Sequence, residues 1–184
     1  MNAEFVTARL SAEPLDLALH EEELARLHAD PRVMASMGGT RDRDQNRVWI
    51  ERNARHAEEE GLGVFVFRDR ATGKAVGRGA IRRIEIGGSG EVEIGYAVAA
   101  EFWGGGLATE LGAWLVAYAE HRGLRDLVAF TRPENARSRR VMEKLGFTYE
   151  REVDWQSQPH VLYRRRPNRP AGSQTSTEPG AVHR

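Results

Sequence analysis

EVEIGYAVAAEFWGGGLATELGAWLVAYAEH, residues 91–121, decides the fold. Its first eight residues (91–98) read as a strand, and Leu107, Leu111, Trp114, Leu115 and Tyr118 recur at the spacing of an amphipathic helix. Between them stand Gly104, Gly105 and Gly106. Glycines between a strand end and a helix start let main-chain N–H groups converge with no side chain in the way, and the positive end of the helix dipole points to the same spot. Phosphate or pyrophosphate is the natural guest. The competing reading is that the glycines only let a helix pack close to a sheet.

The spacing separates this loop from two other glycine loops. A Walker A loop needs Lys after its last Gly, and none stands here. The dinucleotide fingerprint needs a third Gly where Thr109 stands and a βαβ unit, whereas a hairpin precedes this loop; Asp126 lies near the expected distance for its acidic residue. A nicotinamide oxidoreductase is therefore a weaker rival.

Upstream, FVTARL (5–10) reads as a first strand, and Pro14 opens a helical segment carrying Leu15, Leu19, Leu24 and Leu27. Thr40 is placed to cap a second helix running to Gly61 through Val48, Trp49, Arg52 and His56. From Leu62 two β-rich runs flank a turn at 71–73, the pattern of an antiparallel hairpin. Downstream, LVAF (127–130) reads as a buried strand, and a helix from Asn135 to Leu145 ends at Gly146. FTYEREVDW and PHVLYRRR form a last hairpin. Residues 1–166 are expected to be one domain, and the Pro-, Gly-, Ser- and Thr-rich residues 167–184 a disordered tail.

Composition narrows the function classes. The chain has 184 residues, 27 Lys+Arg against 27 Asp+Glu, and no Cys. Balanced charge removes the bulk electrostatic case for nucleic acid, and the absence of Cys removes disulfides, thiolate metal sites and a Cys nucleophile. The six His have no metal-ligand spacing, so no metal is expected. No stretch resembles a secretory signal or a membrane span, which points to a cytoplasmic protein without a membrane partner.

With these elements in this order, the chain resembles the GNAT superfamily of N-acetyltransferases. IGYAV, FWGGGLATE and PENARSRRVMEKLGF resemble its RimJ/RimL-like branch, which acetylates ribosomal proteins. The resemblance runs from about residue 4 to 166 and implies a mixed α/β fold: a mostly antiparallel, twisted central sheet, splayed between strands 4 and 5 and flanked by helices. Trp103, Gly104, Gly105, Gly106, Leu107 and Ala108 occupy the superfamily motif [QR]-x-x-G-x-[GA]; Trp103 departs at its first position. The resemblance implies that Gly104 to Thr109 bind the pyrophosphate of acetyl-coenzyme A. It also implies that the main chain of Tyr96, Ala97 and Val98 binds the pantetheine like an added strand.

Acetyl transfer to an amine needs a neutral nucleophile and a proton for the departing thiolate. Glu91 and Glu93 alternate with Val92 and Ile94, so both face one side of the sheet, and Glu93 is the candidate base; a solvated strand face is the plainer reading. Asn135, Ser138 and Met142 share one helix stripe. By resemblance Asn135 binds the pantetheine or orients the helix start, and Ser138 donates to the sulfur; an N-cap and an ordinary helical Ser are the alternatives. Many relatives carry Tyr seven residues after this Asn, where Met142 stands here, so a tyrosine acid at that place is ruled out. The acceptor, a small-molecule amine or a protein N-terminus, is expected among Trp49, His56, Trp155 and His160. A module that senses acyl-coenzyme A without turnover is the alternative, and the family's frequent dimerisation makes a homodimer an option.

Overall fold

The computed structural model describes residues 5–166. The tail expected to be disordered, 167–184, lies outside the described residues. Seven strands form one sheet: β1 (Leu10–Pro14), β2 (Val64–Asp69), β3 (Ala75–Ile86), β4 (Ser89–Val98), β5 (Leu127–Thr131), β6 (Thr148–Trp155) and β7 (Gln158–Arg165), in spatial order β1-β2-β3-β4-β5-β7-β6. The helices are α1 (Leu17–Ala29), α2 (Pro31–Met34), α3 (Arg43–Glu60), α4 (Leu107–His121) and α5 (Ala136–Lys144). Every strand pairing is antiparallel except β4 with β5, which is parallel.

That exception positions the site. β4 and β5 are joined at one register pair, Glu93 with Val128, and beyond it both strands continue unpaired with each other, β4 to Val98 and β5 to Thr131. The expected splay between the fourth and fifth strands is there.

Strand parity sorts the core. Val92, Ile94, Tyr96 and Val98 of β4 face the cluster built on α4 and Met142 of α5. The opposite face carries two separate clusters. One joins Ala80 and Ala97 to α1, α2 and α3 through Leu24, Met34, Trp49 and Ile50; the other joins Ile86 and Val128 to Val153 and Leu162 of the last hairpin. Glu93 lies on that face, between the two.

Helix α4 buries Leu107, Leu111, Trp114 and Leu115 against the sheet, each contributing roughly 1.5–3 kcal/mol. Its N-cap, Gly106, makes no side-chain cap, a loss of roughly a few tenths of a kcal/mol relative to a Ser, Thr, Asp or Asn cap. Packing outweighs capping here, so the helix can leave its first turn open.

Two local expectations are corrected. The first strand begins at Leu10, not Phe5: the Thr7 hydroxyl accepts from the Leu10 amide at 2.9 Å and the Thr7 amide donates to the Leu10 carbonyl at 2.7 Å, a tight turn that competes with extended pairing. Pro14 accordingly closes β1, and Asp16 caps α1. The cap of α3 is Asp42, not Thr40; Asp42 and Gln45 form a reciprocal capping box that satisfies two donors, where Thr40 would satisfy one.

Candidate active site

Gly104 and Gly106 adopt the left-handed conformation, with φ of +85° and +77°, which L side chains rarely take. The amides of residues 104 to 108 donate to no group among the described residues. Among the described residues a Cβ added at Gly104 would meet nothing within 4 Å, at Gly105 only the Phe102 carbonyl at 4.0 Å, and at Gly106 the Arg9 guanidinium at 3.7 Å. These glycines therefore do not serve helix–sheet packing. They open a row of main-chain donors at a helix N-terminus, beside the splay.

Contacts from two sides hold the loop in shape. The Trp103 indole N–H donates to the Val98 carbonyl at 2.8 Å, tying the loop to the end of β4, and the Arg137 guanidinium stands 4.9 Å above the Trp103 ring. From the other side Arg9 donates to the Gly105 carbonyl at 2.8 Å and pairs with Glu110 at 2.6 Å, while the Thr7 hydroxyl donates to Glu110 at 2.5 Å. Burial pushes the Glu110 pKa up, but the bonds from Thr7 and Arg9 outweigh it and hold the carboxyl below the ordinary range.

The two carboxylates of β4 differ. Glu91 is gripped by both terminal nitrogens of Arg164, at 2.7 and 2.9 Å, and Arg164 also binds Glu150 and Asp126, so this cluster ties β4 to β7 across β5. Glu93 is 6% exposed, and Arg82 donates to its Oε2 twice, at 3.0 and 2.5 Å. Its Oε1 accepts no hydrogen bond among the described residues. One oxygen is pinned and the other is left open.

On the opposite side of β4 the Tyr96 hydroxyl lies 3.1 Å from Ser138 Oγ and donates to the Ser138 carbonyl at 3.2 Å. Burial pushes the Tyr96 pKa up to about 12, partly opposed by the Ser138 bond, so the phenol stays protonated at neutral pH. Asn135 caps α5 by accepting from the Ser138 amide at 3.1 Å, and its amide donates to Ser36 and Thr131 at 2.9 and 3.0 Å. The cap reading of Asn135 is thus realised, and its side chain is engaged on every side. Met142 is buried in the core under α4.

A family model described as "Acetyltransferase (GNAT) domain" matches residues 9–148. The chain belongs to this family. The curated protein YkkB of Bacillus subtilis (strain 168) is 31% identical over 141 residues, 76% of this chain and 82% of its own. Among solved structures, an acetyltransferase from Agrobacterium tumefaciens str. C58 superposes with TM-score 0.75 at 24% identity over 88% of this chain and 93% of its own. RimL, a ribosomal L7/L12 alpha-N-protein acetyltransferase solved in complex with coenzyme A, superposes with TM-score 0.73 at 18% identity over 88% and 96%. The protein is an acetyltransferase of the GNAT fold.

In this acetyltransferase the expected residues assemble on two sides of one opening. Trp103, Gly104, Gly105, Gly106, Leu107, Ala108 and Thr109 form the loop and first helical turn, with Tyr96, Ala97 and Val98 at the adjoining end of β4. Glu93 stands on one face, and Ser138 with Tyr96 on the other. Of the expected acceptor residues, Trp49 is on the helical bank, whereas Trp155 and His160 pack on Phe130 at the far bank. The buried Nε2 of His56 has no hydrogen-bond partner among the described residues. Among the described residues no three His, Cys, Asp or Glu side chains are grouped to hold a metal, and no helix is long and apolar enough to cross a membrane.

Sequence reading missed Arg9, Arg82 and the side chain of Tyr96. Arg82 was findable, because hairpin pairing of β3 and β4 puts it opposite Glu93. Arg9 was not, since nothing local links it to residues 105 and 110.

Proposed function

We propose that this acetyltransferase moves the acetyl group of acetyl-coenzyme A to a primary amine by direct attack within a ternary complex. One observation carries the reading: a run of main-chain donors, 104 to 108, with no acceptor among the described residues, at the start of a helix beside a parted sheet. Those amides suit the pyrophosphate, and the part of β4 unpaired with β5, at Tyr96, Ala97 and Val98, suits the pantetheine as an added strand. RimL, solved with coenzyme A, supports the choice of cosubstrate.

The amine nitrogen attacks the thioester carbonyl, a C–N bond forms and the C–S bond breaks. Glu93 Oε1, directly or through water, takes the proton the amine loses. The Ser138 hydroxyl, held beside that of Tyr96, donates a hydrogen bond to the departing thiolate, which takes up the released proton through water. Asn135 acts by setting the start of α5 and hence Ser138. The acceptor is a small amine or a protein N-terminus, the latter supported by RimL's acceptor, and the setting is cytoplasmic.

The test is release of free thiol from acetyl-coenzyme A over a panel of amines, peptides and antibiotics. Glu93→Gln and Ser138→Ala should each lower kcat by about tenfold or more while KM for acetyl-coenzyme A stays near wild type. Wild-type kcat in both variants would remove these roles. Tight coenzyme binding with no transfer to any amine would instead favour an acyl-coenzyme A sensor, a reading to which the Arg82–Glu93 pair points.

A further inference from the structure

The face of the sheet that carries Glu93 also carries positive charge that no part of the chemistry above uses. β3 places Arg78 beside Ala97 and Arg82 beside Glu93, on the same face and four residues apart. Arg78 is 7% exposed, and its partners are a neutral ring and a thioether: its Nε donates to His28 Nε2 at 2.8 Å and its Nη2 to the Met37 sulfur at 3.6 Å. Its guanidinium lies 4.5 Å from the centre of the Trp49 ring, and that of Arg41 lies 5.9 Å from the same ring. Among the described residues neither Arg78 nor Arg41 has a carboxylate within ion-pair distance; Glu93 pairs with Arg82 alone.

A buried guanidinium is ordinarily matched by an acid, because desolvating an unpaired cation is costly. Here burial, Arg82 and Arg41 together push against the charge of Arg78 and lower its pKa, while Glu93 opposes them weakly; burial, Arg52 and Arg82 do the same to Arg41. His28 offers no negative charge. Burial, with the charge of Arg78 next, drives its pKa down to about 3 against the Asn46 bond, so it is neutral and accepts from Arg78. The cations are held in place by aromatic and neutral contacts, and their charge remains uncompensated.

The position is informative. Arg78 and Arg82 are about 13 Å apart along β3, with Glu93 at the Arg82 end. Trp49, Met37 and Arg41 close the Arg78 end from the helical side. Arg78 and Arg41 thus lie on the helical side of Glu93, on the face of the sheet that Glu93 shares.

We propose that the acceptor is an anionic amine, its carboxylate or phosphate group seated on Arg78 and Arg41 beside Trp49 while its amino group faces Glu93. This rests on the acetyl-transfer reading above and narrows it. Planar guanidinium forks suit a carboxylate or a phosphate, and the same charges repel polyamines and aminoglycosides. The anion and the amine sit at opposite ends of a short molecule.

The test uses the full chain and a series of amines with one to five methylenes between the amino group and a carboxylate, phosphonate, methyl or ammonium end. At a given length the carboxylate or phosphonate compound should exceed the methyl compound in kcat/KM by roughly tenfold or more, and whichever anion is preferred identifies the source. In Arg78→Met the preference should collapse to about twofold or less, with KM for acetyl-coenzyme A unchanged. Arg41→Gln, at a half-buried position, should cut the preference a few-fold and carries the test if Arg78→Met does not fold. Equal or better use of methyl or ammonium compounds, or a preference intact in both variants, overturns the inference while leaving acetyl transfer standing. If no amine is turned over, calorimetric titration of the same compounds in the presence of coenzyme A reads the site directly. Anion binding lost in Arg41→Gln would then support the charge site and remove acetyl transfer, and absence of anion binding would sink the inference.

Discussion

At Gly79 an added Cβ would stand 2.6 Å from Leu115 and 3.0 Å from Leu111 and Phe67, and at Gly112 2.5 Å from Leu145; at Gly104 it would meet nothing within 4 Å. The first pair seats α4 between β3 and the end of α5, where an added methyl group would have to displace those side chains. The loop glycines leave room unused by the described residues. One residue type thus does two jobs a few residues apart, and a glycine's surroundings, not its presence in a motif, tell which job it does. The rival reading of Gly104 to Gly106 as packing glycines fails on this contrast, because the packing role belongs to Gly79 and Gly112.

Substitutions can break or sharpen that contrast. The largest effect is expected at Gly106→Asp, which puts a carboxylate against the proposed pyrophosphate. A unit charge 4 Å away at an effective dielectric near 20 is worth about 4 kcal/mol, so coenzyme affinity should fall at least about a hundredfold. The left-handed backbone adds only about 1–2 kcal/mol of stability loss. Titration calorimetry reads the first and thermal melting the second; unchanged affinity would reject the loop as the phosphate site.

Gly79→Ala should do the reverse. Overpacking at about 1–3 kcal/mol lowers Tm by several degrees, at about 2–4 °C per kcal/mol for a chain of this size, with coenzyme Kd near wild type. A Tm equal to wild type would show that α4 is not seated tightly.

The smallest effect tests the loop's outer support. Glu110→Gln weakens the hold of Arg9 and should raise coenzyme Kd only a few-fold, in keeping with an exposed ion pair. Acid should act the same way. The folded-state pKa of Glu110 lies below 4.5, so its contribution is complete above pH 4.5 and is lost as pH falls through the folded value. Acid sensitivity of binding in this window that Glu110→Gln leaves unaltered would assign it to another group.

Much of this was legible in the chain itself, because the signals are local. Glycine loop, amphipathic α4 and the paired hairpin runs each declare themselves within about twenty residues, and the β4–β5 opening follows from the resemblance those runs carry. The start of β1 was misplaced because Thr7 makes a turn through its side chain, which a count of β-branched residues does not register. The site residues from distant segments were harder. Tyr96 was read for its main chain alone, since its hydroxyl meets Ser138 only after α5 folds over β4. Arg78 looked like one strand residue among many, and only the packing of Trp49 and His28 around it exposes its missing counter-charge.

The clasp of Thr7 and Arg9 on Glu110 joins positions about a hundred residues apart. During synthesis the leading segment emerges long before its partner exists, and closing so distant a contact comes late, after the strands between them have paired. The same clasp is partly solvent-exposed, so it can open in a local fluctuation well below the energy of global unfolding. Fusing a bulky tag close to residue 7 therefore threatens the shape of the loop at 105 while leaving the melting curve nearly untouched.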